Sequence, residues 1–273
     1  METNRSKLPT LFIPHGGGPW PFMDRAFGPP GMWDGLRAHL TGLAATLPAR
    51  AKAVLNISAH WETPRPTVDT DPAPALLFDY YGFPEHTYKL QYPAPGAPVL
   101  AAQVRDLLEA AGLPCDETQG RGFDHGVFIP FMLIYPHADM PILQMSLQRQ
   151  ASVAEHLAIG RALAPLREQG VLIVGSGMSY HNLHEFFSPS EAARKPAAQF
   201  DAWLTQTVET TDPQARDSML IEWRKAPGAR ESHPTPEHLE PLFVVAGAAG
   251  EDLGRRIFTD ELAGKPVSGF RFG

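Results

Sequence analysis

One cysteine, Cys115, is the whole thiol content of the 273-residue chain. That excludes an intrachain disulfide and any cysteine-rich zinc site, and a lone thiol fits a reducing compartment. Clustered positive charge is also missing. The formal net charge is −7 and the longest basic run is Arg255-Arg256. A nucleic-acid binder needs lysines and arginines grouped to neutralise phosphates, so none is expected as a partner. No stretch approaches the ~18 apolar residues of a membrane span. The opening, Met1 to Lys7, is polar, and the apolar residues after it are interrupted by Pro14 and Gly16. No signal peptide is expected, no membrane is expected as a partner, and the chain reads as cytoplasmic. Internal repeats, low-complexity tracts and charge blocks are absent as well.

What is present is an ordinary globular composition, 43% hydrophobic and 19% charged, with 28 prolines, 24 glycines and 11 histidines. A chain of this size can bury a substantial core without a structural metal. Short apolar runs read as buried strands: Leu11 to Ile13, Ala53 to Ile57, Pro141 to Met145 and Val171 to Val174. Between them, Leu36, Leu40, Leu43, Ala44 and Leu47 keep helical spacing, as do Leu100, Val104, Leu107, Leu108 and Ala111. Val153 to Leu166 predicts a third helix, and Leu239, Leu242, Phe243 and Ala246 a fourth, with Pro236 near its first turn. Alternating strands and helices predict an α/β fold: a single domain over 1–273, with a mixed or largely parallel central sheet and helices on both faces. Pro64 to Pro98 is aperiodic and long, the mark of a functional loop. Ser188 to Arg230 reads as polar helix at the sheet's edge.

Ligands of open α/β sheets bind beyond the carboxyl ends of the strands. His15 ends the first predicted strand and His60 the second. His181 follows the strand at Val171 to Val174 through Gly175-Ser176-Gly177. His125 stands before a hydrophobic segment, and His233 and His238 flank the start of the last helix. Several imidazoles at one sheet edge suit a metal site with acid/base groups beside it. The remaining histidines have ordinary readings. His39 and His156 are expected to be solvated on helices, His86 and His137 to lie in loops, and His184 at the surface. For His238, packing and a place in the site are both open. Trp61 and Tyr80-Tyr81 are candidates for stacking on an aromatic ligand, or for packing. Gly16-Gly17-Gly18 lacks the residues of a phosphate loop, and Gly175-Ser176-Gly177 lacks the Gly-x-Ser-x-Gly of a serine nucleophile.

Seven short motifs in order carry a resemblance. They are Pro14-His15-Gly16-Gly17-Gly18-Pro19, Ile57-Ser58-Ala59-His60-Trp61-Glu62, Asp79-Tyr80-Tyr81-Gly82-Phe83-Pro84 and Tyr92-Pro93-Ala94-Pro95-Gly96. Phe123-Asp124-His125-Gly126, Gly175-Ser176-Gly177 through His181-Asn182-Leu183, and His233 through Leu239 with Pro241-Leu242 complete the set. The chain resembles the class III extradiol ring-cleaving dioxygenases, in the branch of the 4,5-DOPA extradiol dioxygenases. The resemblance implies an α/β core and a mononuclear metal site, Fe(II) with zinc possible in purified protein. By position it implies His15, His60 and His233 as metal ligands, and His181 and His125 as acid/base residues. The best-known pattern of the class has two histidines and a carboxylate; Glu62 and Glu237 are the carboxylates that would replace His233. The implied substrates are O₂ and a small catechol, DOPA- or caffeate-like, opened to a semialdehyde. Two other readings stand beside it: a zinc-dependent hydrolase on the same fold, and a binding protein of the same superfamily without catalysis. Arg121, Arg224 and Arg230 are candidates to pair with a substrate carboxylate, or for surface salt bridges.

Overall fold

The computed structural model describes residues 7–23 and 28–273. Met1 to Ser6 of the polar start, expected not to be a signal peptide, lie outside the described residues. One mixed sheet of eight strands contains β1 (Thr10–Pro14), β2 (Ala53–Thr63), β3 (Thr67–Asp69), β4 (Asp116–Thr118), β5 (Ile142–Gln148), β6 (Val171–Gly177), β7 (Gly254–Leu262) and β8 (Lys265–Phe272). Its order is β4-β3-β5-β2-β6-β1-β8-β7. The four predicted strands are the central ones, β5, β2, β6 and β1, and each pairs with its neighbour in parallel. The pairings of β3 with β5, β1 with β8 and β8 with β7 are antiparallel.

The helices are α1 (Asp34–Leu43), α2 (Pro98–Ala110), α3 (His125–Ile134), α4 (Val153–Leu163), α5 (Glu191–Val208), α6 (Pro213–Ile221), α7 (Ala229–Ser232) and α8 (Glu240–Ala249). They cover both faces, as the side-chain alternation of the central strands shows. Leu11, Ile13, Val54, Ile142, Leu172 and Val174 share one core with residues of α1 and α3. Phe12, Leu55, Ile57, Leu143, Met145 and Ile173 share the other with residues of α2, α4, α5 and α8. Two predicted helices stop early. The stretches toward Leu47 and Leu166 tighten into short 3₁₀ turns at Ala44–Thr46 and Ala164–Gln169. Pro48 and Pro165 stand at those points, where a ring without an N–H ends an α-helix. His156, expected on a solvated face, is only 1% exposed, because α4 is flanked by α2, α6 and α8 at once. Among the described residues no helix is long and apolar enough to cross a membrane.

The C-terminal hairpin was not legible as such. β7 lies at the sheet's edge, and Ala263 and Gly264, both at positive φ, turn it into β8. Glycines set the position of α8. A Cβ on Gly160 of α4 would lie 2.0 Å from the Val244 carbonyl oxygen, and one on Gly247 of α8 would lie 2.1 Å from that of Leu157. The two helices therefore touch backbone to backbone. On the sheet side, a Cβ at Gly175 would meet the Pro241 oxygen at 2.6 Å and one at Gly177 the His238 oxygen at 2.2 Å. These contacts hold the start of α8 directly on β6.

Candidate metal centre and active site

The carboxyl edge of the parallel strands gathers five histidines around one cavity of about 390 Å³. His15 follows β1, and its backbone N–H continues the strand pairing to the Gly177 carbonyl at 3.1 Å. Gly16 takes φ +80, and a Cβ there would collide with the Trp20 ring at 2.2 Å; Trp20 Nε1 donates to the His15 carbonyl. Glycine is needed at this turn both for its conformation and for the space it leaves. His60 lies within β2, which runs on to Thr63, and the pairing of β2 with β5 shifts register between Ile57 and Glu62. Such an irregularity re-aims side chains at a strand's end. His238 precedes α8, its carbonyl accepting the Met178 N–H at 2.9 Å. The same contact that holds α8 on β6 thus brings His238 to the sheet edge.

His15, His60 and His238 have ring centroids 4.9, 5.3 and 4.9 Å apart. They form a group able to hold a metal ion, with candidate ligand atoms all within 4.8 Å of one another. Their Nε2 atoms are buried and have no hydrogen-bond partner. Each Nδ1 faces an acceptor: the Gly16 carbonyl at 2.8 Å from His15, Glu237 Oε1 at 3.0 Å from His238, and Asp79 Oδ2 at 3.7 Å from His60. Acceptors on that side favour the tautomer that leaves Nε2 bare, the arrangement typical of metal-binding histidines. Burial holds all three well below the ordinary imidazole pKa, and the neighbouring histidines lower them further. At neutral pH they are uncharged and their lone pairs are available.

His125 and His181 stand on either side. His125, at the start of α3, lies 3.9 Å from His60 between ring centroids, and its Nδ1 donates to Asp79 Oδ1 at 2.7 Å. The His125 backbone N–H bonds the same oxygen at 3.0 Å. Burial opposes the charge of Asp79, but its hydrogen bonds with His125 and the nearby His60 outweigh this and hold its pKa below the usual value. His181 stacks on His238 at 3.3 Å between centroids and 12° between planes, with its Nδ1 3.6 Å from Glu237 Oε1. Burial, then the neighbouring His125, lowers its pKa to about 4.

His233, expected by position as the third ligand, is not brought into this group. It is 1% exposed, its Nε2 lies 2.9 Å from the Ser179 carbonyl oxygen, and its ring packs edge-on against Phe200 and Trp223. Burial lowers its pKa to about 3. The third imidazole beside His15 and His60 is His238, five residues further along. Glu62 does not enter the three-histidine group, and Glu237 stands behind His238 and His181. Asp79, which sequence reading did not select, bridges His60 and His125; its one signal was its place in a short motif within the aperiodic stretch. Ser176 is fully buried and its hydroxyl donates to the Gly126 carbonyl, so the glycines around it serve backbone contact with α8 and no nucleophile. Trp61 is buried beneath the Arg121 guanidinium, which also donates to the His60 carbonyl and to Asp124. Asp124 is buried and held by Ser58 and Gln144 as well, forming a polar floor under His60 and α3.

Comparison with known proteins agrees with this architecture. Residues 26–271 match the family described as the catalytic LigB subunit of aromatic ring-opening dioxygenase. Dioxygenase tasH of Hapsidospora irregularis is 36% identical over 295 residues, covering 100% of this chain and 87% of that protein. The 4,5-DOPA dioxygenase extradiol of Beta vulgaris is 42% identical over 204 residues, 74% of this chain and 75% of its own. A crystal structure of an uncharacterised Escherichia coli K12 protein superposes with a TM-score of 0.77 at 28% identity, covering 97% of this chain and 100% of the other. With the sheet, the histidine edge and these relatives together, the chain belongs to the class III extradiol ring-cleaving dioxygenases, in the branch of the 4,5-DOPA extradiol enzymes.

Proposed function

We propose that His15, His60 and His238 hold one divalent metal, ferrous in the active enzyme, and that the chain opens a small catechol with O₂ beside its two hydroxyl-bearing carbons. One observation carries the ligand set: three neutral imidazoles converge with buried Nε2 atoms that have no partner within the protein. Buried polar atoms are nearly always satisfied, so three orphaned acceptors in one place fit a cation. His233 is set aside as a ligand, because its Nε2 lies against the Ser179 carbonyl. Ferrous iron in the site would supply redox chemistry between catechol and O₂ that zinc, with no accessible second oxidation state, does not.

The chain's own residues account for protons and position. His181 is uncharged at neutral pH and lines the cavity, so it is placed to take the first proton from a catechol hydroxyl. His125 is oriented by Asp79 through Nδ1, which leaves Nε2 as the nitrogen that exchanges a proton and supports its return later in the reaction. The stacked His238 ring holds the His181 ring. Catechol supplies all the electrons for both oxygen atoms to enter the product, so no external reductant is consumed. Anaerobic loading with Fe(II), followed by a catechol and air, should consume one O₂ per catechol and give a yellow semialdehyde. A requirement for NADH, cleavage between the hydroxyls, or oxygen-independent ester hydrolysis at the same site would reject the reading, the last in favour of a zinc hydrolase.

A further inference from the structure

We infer that the catechol accepted here carries an uncharged, apolar substituent, alkyl or aryl, and not a carboxylate-bearing side chain. The inference rests on the proposed ring-opening reading and adds the class of substrate. Beyond the histidines and Asp79, the cavity is walled by Trp33, Phe83, Phe186 and the mouth residues Tyr81, Leu183 and Phe187. Its volume falls in the range that encloses ligands larger than a bare catechol. Among the described residues no lysine or arginine lines it.

The candidate cations are engaged or remote. Arg121 is held beneath the floor by Asp124, the His60 carbonyl and Trp61, while Arg224 lies over Trp223 and Arg230 is exposed outside the cavity. The neutral polar groups offer no charge. The Tyr80 hydroxyl is turned to the Thr87 carbonyl, and the Tyr180 hydroxyl is buried at the wall without a partner. The fixed side-chain charge nearby has the wrong sign for an anion. Asp79 is in the wall, and Glu237 is behind His181.

The mouth adds a positive signal. Of the seven exposed large hydrophobic residues among those described, Tyr81, Leu183 and Phe187 belong to this one cavity, at 92%, 70% and 50% exposure. Grouped exposed apolar side chains mark a binding surface. A carboxylate brought into such a wall loses water and meets no lysine or arginine among the described residues, whereas an alkyl or aryl group is covered.

The test is a matched pair, 4-propylcatechol against dihydrocaffeate. Iron-loaded full-length protein is assayed by oxygen uptake. Dissociation constants for the same compounds are measured by tryptophan quenching on zinc-loaded protein, which does not turn over. 4-Propylcatechol should be favoured by roughly tenfold or more in both kcat/KM and affinity, as expected for a charge desolvated without a cationic partner. Leu183→Arg, at an exposed site, should narrow or reverse the ratio by supplying a cation at the mouth. Equal or better use of the carboxylate by the unaltered chain overturns the inference, as does a Leu183→Arg chain with an unchanged ratio. If no catechol consumes oxygen, the ring-opening reading fails, while the binding ratios still decide the substituent.

Discussion

The two flanks of the histidine cluster are built alike and weighted oppositely. On one, Asp79 stands between a candidate ligand, His60, and a candidate acid/base residue, His125. On the other, Glu237 stands between His238 and His181. Asp79 is tight on the acid/base side, 2.7 Å from His125 against 3.7 Å from His60. Glu237 is tight on the ligand side, 3.0 Å from His238 against 3.6 Å from His181. A carboxylate orients the ring to which it is hydrogen-bonded far more firmly than one at ion-pair distance. The same chemical device therefore orients a proton carrier on one flank and a metal ligand on the other.

The largest effect that would test this division is loss of the metal. His15→Ala, His60→Ala and His238→Ala should each lower bound iron or zinc per chain sharply and abolish turnover, as measured by elemental analysis beside oxygen uptake. His233→Ala should retain metal. Full occupancy in His238→Ala with loss in His233→Ala would return the third ligand to the position expected from sequence. Next in size, His125→Ala and His181→Ala should keep the metal and lose roughly 10²–10⁴-fold in kcat, the usual contribution of an acid/base group. Metal loss in either would move that histidine into the ligand set.

The carboxylates themselves come third and address the comparison directly. Glu237→Gln should weaken metal affinity by about 10–100-fold, the scale of losing a ligand's outer partner. Asp79→Asn should leave affinity closer to wild type and lower kcat instead. Identical behaviour of the two variants would show that the flanks are equivalent.

The smallest effect on the enzyme concerns a histidine outside both flanks. His156→Leu should leave metal content unchanged and alter only acid stability. Burial lowers the His156 pKa to about 4 from 6.5. The unfolded chain therefore takes up the proton first as pH falls. Folding stability is lost from about pH 6.5 down to about pH 4, by roughly 3 kcal/mol at most. Denaturant titrations of the variant should show a flatter decline across that window.

Much of this was legible in the chain itself. Val171 to Val174 and its three counterparts are apolar runs of strand length, and a buried parallel strand needs no more than that. His15, His60 and His181 follow or close such runs, so the sheet edge they share could be read locally. The choice between His233 and His238 could not. Both flank the same helix start, and what separates them is the contact of the His238 backbone with Gly177, far away in sequence. Asp79 was hidden for the same reason: it lies in a stretch without period, and only the folded chain sets it against His125. The burial of His156 likewise depends on three helices that its own segment does not describe.

The bare backbone crossing of α4 and α8 gives the enzyme a lever far from its chemistry. Gly160 and Gly247 touch no candidate ligand, yet they fix how deeply the helix behind His238 can sit. A single methyl group at Gly160 would act like a shim under a beam, tilting the far end where the imidazole is mounted. The grip of the three histidines on a metal would thus answer to the opposite side of the molecule, through residues that no inspection of the site would select.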